Sequence, residues 1–233
     1  MRRQRDGSVT NRMIRTVLFD LDGTILDTNE LIFRSFEHAW ERKGWPMITR
    51  EKLTPYMGGK LHDMFRETAG VTLDAEVEEL IALYREYNWA HHDELVRAFP
   101  NAREVMAQLR EAGVRMGVVT TKIRKTSEMG LALCGMAEFI EAIVSLDDVE
   151  HAKPHPEPVL KALLAMDADP ATTIMVGDSA ADLLAARAAG VRSVAVGWSI
   201  KSKEDLMRCE PDYWIDDIRE LLDIVGAAGV ERT

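Results

Sequence analysis

Two carboxylates stand directly after a short apolar run near the start of the chain. Val17, Leu18 and Phe19 form this run, which stops at Asp20, and Asp22 follows two residues later. The pattern predicts a buried β-strand that ends in acidic residues. If the chain stays extended, Asp20 and Asp22 point to the same side, with Cα atoms roughly 6.5 Å apart. Two carboxylates this close are costly to desolvate and repel each other, so we expect a cation between Asp20 and Asp22.

These residue types could carry out phosphoryl transfer. Asp20 can attack phosphorus and form an aspartyl phosphate, provided that the phosphoryl charge is neutralised. Asp22 is placed to act as general acid toward the leaving oxygen and then as general base for the hydrolytic water. Asp178 follows Gly177 at the end of another apolar run. Because Mg²⁺ prefers oxygen ligands, we expect it at Asp20 and Asp178, together with the carbonyl oxygen of Asp22.

Further polar residues stand where they could help to hold a phosphate and its metal ion. Asp182 is either a third ligand of that ion or a charged residue in the first turn of a helix, where the helix dipole favours it. Thr120 and Thr121 end another apolar run, where a hydroxyl and a backbone N–H can bind a phosphate oxygen. Lys153 precedes a proline, which keeps it out of helical geometry and makes a rigid arm for an ammonium group. A single lysine before proline is otherwise an ordinary loop residue.

Strand-like apolar runs alternate with helical segments along most of the chain. After the first run, the others span residues 114–119, 142–144, 173–176 and 193–196. This alternation predicts an α/β fold with a doubly wound parallel sheet. Ligands of such sheets bind beyond the carboxyl ends of the strands. We therefore expect Asp20, Thr120, Ser145 and Asp178 to converge on one edge.

The segment between the first two runs differs from the rest. Residues 27–98 have helical periodicity and no strand-like alternation, which predicts an all-helical insert after the first strand. The core then consists of residues 14–26 and 99–233. Residues 1–13 carry four arginines but no apolar segment, so they are interpreted as a flexible leader and not as a signal peptide.

Composition limits the classes of partner. The formal net charge of -10 gives no long-range attraction to nucleic acid or to an anionic membrane surface. No uncharged apolar run reaches the length of a membrane span. Cys134 and Cys209 lack CxxC spacing, so neither a disulfide nor a zinc site is expected, and a reducing cytoplasm is the expected compartment. The six histidines show no ligand spacing beside a Cys or Glu and are interpreted as surface or cap residues.

Taken together, the polar residues resemble the four motifs of the haloacid dehalogenase superfamily. The motif residues, in chain order, are residues 20–24, Thr120, Lys153, and Gly177 and Asp178 with Asp182. The resemblance implies a Rossmann-like core, an inserted helical cap, dependence on Mg²⁺, Asp20 as nucleophile and Asp22 as acid and base. Dehalogenases of the superfamily lack the second aspartate. Asp22 therefore argues for phosphatase chemistry.

Within the superfamily the chain is similar to the phosphoglycolate phosphatase group, and most similar to its pyrophosphatases. The segments that carry this similarity are residues 28–31, 84–88, 120–124, 146–149, 156–159, 198–201 and 210–212. The similarity implies inorganic pyrophosphate as the small phosphorylated substrate. The core would hold one phosphate, and the other needs further cations. Lys60, Lys122, Arg124 and Lys201 are the candidates, with Thr121 as a further substrate-binding residue.

Alternatives remain open at this point. The same machinery serves phosphatases of phosphoglycolate or sugar phosphates and phosphomutases similar to β-phosphoglucomutase. A signalling receiver domain also combines a phosphorylated Asp with a Thr and a Lys on a doubly wound sheet. Receiver domains are much shorter, however, and lack both the second acid and the helical insert. The sequence leaves the leaving group and the oligomeric state undetermined.

Overall fold

The computed structural model describes residues 13–226. Its strands are β1 (Thr16–Phe19), β2 (Leu26–Asp27), β3 (Arg97–Ala98), β4 (Arg115–Val119), β5 (Ala142–Val144), β6 (Thr173–Gly177), β7 (Arg192–Val196) and β8 (Tyr213–Ile215). Its helices are α1 (Asn29–Lys43), α2 (Arg50–Leu53), α3 (Leu61–Ala69), α4 (Asp74–Ala90), α5 (His92–Leu95), α6 (Ala102–Glu111), α7 (Arg124–Leu133), α8 (Glu157–Ala165), α9 (Ala180–Ala188), α10 (Lys203–Met207) and α11 (Glu220–Val225). Of the predicted leader, residues 1–12 lie outside the described residues, as do residues 227–233 of the predicted core.

Six strands form one parallel sheet in the order β5-β4-β1-β6-β7-β8. The chain builds outward from β1 to β4 and β5 on one side, and then to β6, β7 and β8 on the other. The order reverses beside β1, which is where open sheets of this type bind their ligands. The predicted α/β fold with a doubly wound parallel sheet is confirmed. The strand β8 was not predicted; it lies at the edge of the sheet, and its first two residues are only partly buried.

Alternation along β1 divides the core into two layers. Val17 and Phe19 are fully buried with Val105 of α6 and Leu221 of α11 on one face of the sheet. Leu18 faces the opposite layer, which contains the buried side chains of α8 and α9. Successive side chains of a strand point to opposite faces, so a strand that is covered on both faces is apolar throughout. This burial explains why the run of residues 17–19 contains no polar residue.

The helices α1 to α5 lie between β2 and β3, which pair antiparallel, Leu26 opposite Ala98 and Asp27 opposite Arg97. This ribbon was not predicted, since two-residue strands leave no period-2 pattern. Buried aromatic side chains fill the interior of the helical segment, with the rings of Phe36 and Phe65 4.5 Å apart. We refer to residues 27–98 as the cap; its boundaries stay a prediction.

Membrane insertion by a helix was also considered. Within residues 13–226, every helix is too short or too polar to span a bilayer.

Candidate active site

The polar residues that follow the central strands lie at one edge of the sheet. Asp20 follows β1, and its backbone N–H donates to the carbonyl oxygen of Val176 in β6 at 2.9 Å. Thr120 follows β4, and its N–H donates to Val144 of β5 at 2.9 Å. The sheet hydrogen bonds thus continue one residue beyond the strands. They fix the backbone positions from which these two side chains extend.

Lys153 reaches this edge from the loop before α8 and is almost fully buried. Its Nζ donates to Asp20 Oδ1 at 2.7 Å, to Asp182 Oδ1 at 2.6 Å and to the carbonyl oxygen of Val119 at 2.8 Å. All three donor directions of the ammonium group are therefore used. Burial disfavours the charged amine, but the two carboxylates outweigh this effect and raise the pKa of Lys153 above its ordinary value. The ammonium group is held in place before any substrate binds.

Three buried carboxylates face that single ammonium group. One oxygen each of Asp20, Asp178 and Asp182 lies within 4.8 Å of the others. Burial, opposed in part by Lys153 and reinforced by the Asp182 charge, raises the pKa of Asp20 from 3.8 to about 7. Burial and the Asp20 charge raise the pKa of Asp178 well above its ordinary value. An all-oxygen cluster with excess negative charge is suited to a hard divalent cation.

Asp182 has a structural role in addition to its place in this cluster. Its Oδ2 accepts the N–H of Ser179 at 3.0 Å and the Ser179 hydroxyl at 2.6 Å, which forms a capping box at the start of α9. Its Oδ1 accepts Lys153. A Cβ atom at Gly177 would lie 2.3 Å from the Cβ of Asp182, so glycine is required there. Both sequence interpretations of Asp182 therefore have a counterpart in the structure.

Two residues outside the predicted set hold Asp178. Gly23 has a φ of 85°, and a Cβ atom there would lie 2.6 Å from Asp178 Oδ2. The Ser199 hydroxyl donates to the backbone carbonyl oxygen of Asp178 at 2.7 Å. Gly23 belongs to the motif of residues 20–24, but no contact with Asp178 was predicted for it. The close approach to Asp178 could not be predicted, because it joins segments that are 155 residues apart.

Asp22 is separate from the carboxylate cluster and is paired with a different cation. Lys122 Nζ lies 3.1 Å from both Asp22 Oδ1 and Asp22 Oδ2. The side chains of Lys122 and Asp22 are only 10% and 20% exposed, so water screens this pair weakly. The predicted acid and base thus contacts a predicted substrate-binding residue.

Thr120 and Thr121 play different structural roles. The Thr120 hydroxyl oxygen accepts the N–H of Lys122 at 3.1 Å, and Thr120 is almost fully buried. The Thr121 hydroxyl donates to the carbonyl oxygen of Gly58 in the cap at 2.9 Å. Thr121 lines the cavity between core and cap, and it also links the two. Its predicted substrate contact would require this hydroxyl to exchange partners.

A partly open cavity of about 120 Å³ lies between the carboxylate cluster and the cap. Core residues Asp20, Asp22, Lys122, Lys153 and Asp178 line it. From the cap, the lining residues are Ile32, Gly58, Gly59, Leu61, Met64, Tyr84, Arg85, Asn88 and Trp89. The cap therefore forms the far side of the candidate site.

Three of the cations predicted for the second phosphate do not line this cavity. Arg124 donates to Asp148 Oδ2 at 2.7 Å and to the carbonyl oxygen of Ile143, so it secures the end of β5. Lys60 precedes α3 and lines a neighbouring cleft. The directions in which the side chains of Arg124 and Lys60 extend could not be predicted from the local sequence of their loops. We remove Arg124 from the proposed substrate-binding set.

Lys201 is the third of these cations. Its Nζ donates to the backbone carbonyl oxygens of Thr54 and Met57 in the cap, each at 2.7 Å. Burial lowers the pKa of Lys201, although the charge of Asp178 opposes this change. Lys201 therefore links the core to the cap turn, and its ammonium group is already occupied.

Arg85 is the cavity cation that the sequence interpretation of the site did not include. It lies on α4 beside Tyr84 and one turn before Asn88, and all three residues line the cavity. The Asn88 amide donates to Ser35 of α1 at 3.2 Å, which fixes this face of α4 against α1. The i, i+1 and i+4 spacing of Tyr84, Arg85 and Asn88 was visible in the sequence. What could not be seen was that this face of α4 turns toward the core.

Comparison with known proteins gives both a family and individual relatives. Haloacid dehalogenase-like hydrolases, as a family, match residues 17–196. Pyrophosphatase PpaX of Bacillus mycoides (strain KBAB4) is 45% identical over 214 residues, 91% of this chain and 97% of that protein. Pyrophosphatase PpaX of Bacillus cereus (strain Q1) is 44% identical over 213 residues, with the same coverage.

A solved structure gives the same result. A haloacid dehalogenase-like family hydrolase from Streptococcus pneumoniae has a TM-score of 0.80 at 26% identity, over 92% of this chain and 98% of that one. The family resemblance predicted from the motifs is confirmed. The chain belongs to the haloacid dehalogenase-like hydrolase family and is a phosphohydrolase.

Proposed function

We propose that this phosphohydrolase cleaves inorganic pyrophosphate to two phosphate ions, with Mg²⁺ and through an aspartyl phosphate on Asp20. The observation that carries the proposal is the small cavity that brings Asp20 together with Lys122 and Arg85. Its volume of about 120 Å³ is well below the roughly 300–1,000 Å³ of sites for drug-sized ligands. A cavity of this size favours a substrate as small as pyrophosphate. The name of the relatives at 44–45% identity supports the same substrate.

The carboxylate cluster fits Mg²⁺. Asp20 and Asp178 would supply carboxylate oxygens, the Asp22 carbonyl oxygen a further one, and Asp182 would act from its capping position. Burial, together with the neighbouring carboxylate charges, raises the pKa values of Asp20 and Asp178, and a divalent cation would offset both effects. When bound there, Mg²⁺ would neutralise charge on the phosphoryl oxygens.

In the first chemical step, a carboxylate oxygen of Asp20 forms a bond to one phosphorus atom while the bridging P–O bond breaks. The leaving phosphate takes a proton from Asp22. Lys153 holds Asp20 in position from one side at 2.7 Å. The Thr120 hydroxyl would donate to the transferred phosphoryl group. Lys122 and Arg85 bind the leaving phosphate as charge develops on it.

The second step releases the other phosphate ion. Asp22, now ionised, takes a proton from a water molecule, and the oxygen of that water attacks the aspartyl phosphate. The Asp20 carboxylate is restored. Lys122 is the partner of Asp22 in the substrate-free state, and a bound phosphate would draw Lys122 away from it. Substrate binding would thereby allow Asp22 to carry the proton that the first step requires.

A second candidate function is favoured by the apolar part of the cavity. Ile32, Leu61, Met64 and Trp89 line the cap side. These side chains would suit the carbon atoms of a small phosphomonoester such as phosphoglycolate better than they suit a second phosphate. A phosphomutase reaction of the same aspartyl phosphate would require water to be excluded after the first step.

The deciding experiment measures phosphate release in the presence of Mg²⁺. Pyrophosphate, phosphoglycolate and glucose 1-phosphate are compared by kcat/KM, with the Asp20→Asn variant as the blank. We expect pyrophosphate to be preferred by at least tenfold, which is about 1.4 kcal/mol of transition-state stabilisation. A preference for phosphoglycolate would establish the second candidate instead. Conversion of glucose 1-phosphate without net phosphate release would indicate a mutase.

The contribution of Arg85 can be tested with a matched control. Arg85→Ala should lower kcat/KM for pyrophosphate by roughly 10- to 100-fold, the usual cost of losing a charged hydrogen bond. Arg42→Ala, which removes an exposed cap arginine outside the cavity, should have little effect. An equal loss in both variants would contradict the role of Arg85. An equal loss for pyrophosphate and phosphoglycolate would show that Arg85 does not recognise the leaving phosphate.

The remaining expectations concern partners and compartment. The substrate is a small phosphorylated compound, as the family implies. We propose that the enzyme acts in the cytoplasm and does not bind nucleic acid, in keeping with its net charge of -10.

A further inference from the structure

A second group of metal-ligating side chains lies on the loop that carries Lys153. His151 and His155 flank this lysine, and Glu157 is the first residue of α8. One ligand atom of each of the three residues lies within 4.8 Å of the other two. The two imidazole rings are 4.6 Å apart between centroids. The group shares no residue with the carboxylate cluster of Asp20.

Hydrogen bonds hold the carboxylate of this group in place. Glu157 Oε1 accepts the N–H of Glu150 at 3.0 Å, and Lys161 Nζ lies 2.9 Å from the same oxygen. Glu157 Oε2 accepts the N–H of His151 at 2.9 Å and lies 3.0 Å from His151 Nδ1. The Glu157 side chain is only 18% exposed, although the histidines around it are exposed. Its position is therefore fixed before any ion binds.

The two histidines are also constrained. The N–H of His155 donates to the carbonyl oxygen of Ala152 at 3.0 Å, which closes the loop into a turn. His155 Nδ1 accepts the N–H of Glu157 at 3.2 Å, so its Nε2 is the nitrogen that remains for a ligand. His151 Nδ1 lies within hydrogen-bond distance of Glu157 Oε2. A carboxylate that orients a histidine in this way is a common feature of metal sites in proteins.

We propose that His151, His155 and Glu157 form a surface site for a borderline divalent cation such as Zn²⁺. Two imidazole nitrogens and one carboxylate are a ligand set that Zn²⁺ prefers and that Mg²⁺ does not. Metal bonds of about 2.0–2.2 Å join donor atoms up to roughly 4.3 Å apart, so a small rotation of the exposed rings completes the site. Solvent would supply the fourth ligand.

The surroundings favour a cation. Asp63 and Glu67 of the cap line the same cleft, across from the histidines. Lys60 also lines this cleft and adds one positive charge. The positive charges of the nearby Lys153 and Lys161 are each paired with a carboxylate, Asp182 and Glu157 respectively. The sequence analysis interpreted His151 and His155 as surface or cap residues, and both are exposed; the proposed site would be an additional role for them. The spacing of four residues and then two lies on a loop, where neither helical nor strand periodicity reveals which side chains meet.

The test measures Zn²⁺ binding to the untagged enzyme by isothermal titration calorimetry, in a large excess of Mg²⁺. We expect one equivalent of Zn²⁺ to bind. His151→Ala and His155→Ala should each weaken binding by at least tenfold. His91→Ala is the matched control, because His91 Nδ1 lies 3.1 Å from Glu94 Oε2 in an exposed pair that belongs to no such cluster within residues 13–226. This control should bind Zn²⁺ as the native chain does.

Co²⁺ provides a second readout, since its visible absorption reports nitrogen ligands independently of catalysis. The absorption should be present in the native chain and in Asp178→Asn, and absent in His155→Ala. Circular dichroism would establish that each variant is folded. Binding that persists in both histidine variants, or that disappears only in Asp178→Asn, would overturn the proposal. Failure to bind Zn²⁺ at all would overturn it as well, and none of these results would bear on the pyrophosphatase proposal.

Discussion

Replacing the proposed nucleophile should stabilise the metal-free protein. Asp20 is 5% exposed and lies in a cluster of three carboxylates with one ammonium group. Burial and this excess charge raise its pKa from 3.8 to about 7. Because the folded state binds the proton more tightly than the unfolded state, stability is lost as the pH rises from about 4 through about 7.

The magnitude follows from these two pKa values. One pKa unit corresponds to roughly 1.4 kcal/mol, so the ionised Asp20 costs the fold up to about 4 kcal/mol at pH 8. At pH 5 the destabilisation of the fold by Asp20 is less than about 2 kcal/mol, because Asp20 is then protonated in the folded state. Asp20→Asn imitates the neutral carboxyl group. We therefore expect it to raise the free energy of unfolding at pH 8 by about 1–4 kcal/mol, and by much less at pH 5.

The assay is urea unfolding at pH 5 and pH 8 in EDTA, followed by circular dichroism. Asp223→Asn is the control, because Asp223 is an exposed aspartate of α11 and its substitution should change stability by less than about 0.5 kcal/mol. Added Mg²⁺ should stabilise the native chain and reduce the difference, since ligand binding to the folded state adds to stability. The reasoning is refuted if Asp20→Asn is no more stable than the native chain at pH 8, or if the difference is the same at both pH values.

Three further predictions concern the residues around this cluster. Gly23→Ala should reduce Mg²⁺ affinity and lower the free energy of unfolding by about 1–3 kcal/mol, because residue 23 has a left-handed backbone conformation and its new Cβ would meet the Asp178 carboxylate. Unchanged Mg²⁺ binding by calorimetry would contradict this prediction. Lys201→Met should raise KM more than it lowers kcat, because it removes two hydrogen bonds to the cap. Steady-state kinetics in which KM and kcat change by the same factor would argue against a role of Lys201 in cap closure. Phe65→Ala should destabilise the cap by about 3–5 kcal/mol, because Phe65 is fully buried among aromatic rings; thermal unfolding at an unchanged temperature would rule this out.

Much of the fold could be predicted because it depends on local patterns. Apolar runs such as residues 17–19 and 173–176 are required wherever a strand is covered on both faces, so they mark the parallel sheet directly. The polar residue after each run then has to lie at the carboxyl edge. Asp20 and Asp178 were predicted on this basis, and Lys153 from its position before a proline and from the motif resemblance; the structure brings the three together.

The remaining parts of the site depend on contacts between distant segments. Arg124 and Lys201 have the charge that a phosphate site needs, but tertiary contacts direct them to Asp148 and to the cap turn instead. Arg85 lines the cavity only because α1 packs against one face of α4 and leaves the neighbouring face toward the core. The sequence by itself was enough to propose phosphoryl-transfer chemistry, because the end of a strand fixes the backbone position from which a side chain extends. Tertiary structure alone decided which long, flexible cations reach the substrate, because several acceptors compete for each of them and only packing sets their distances.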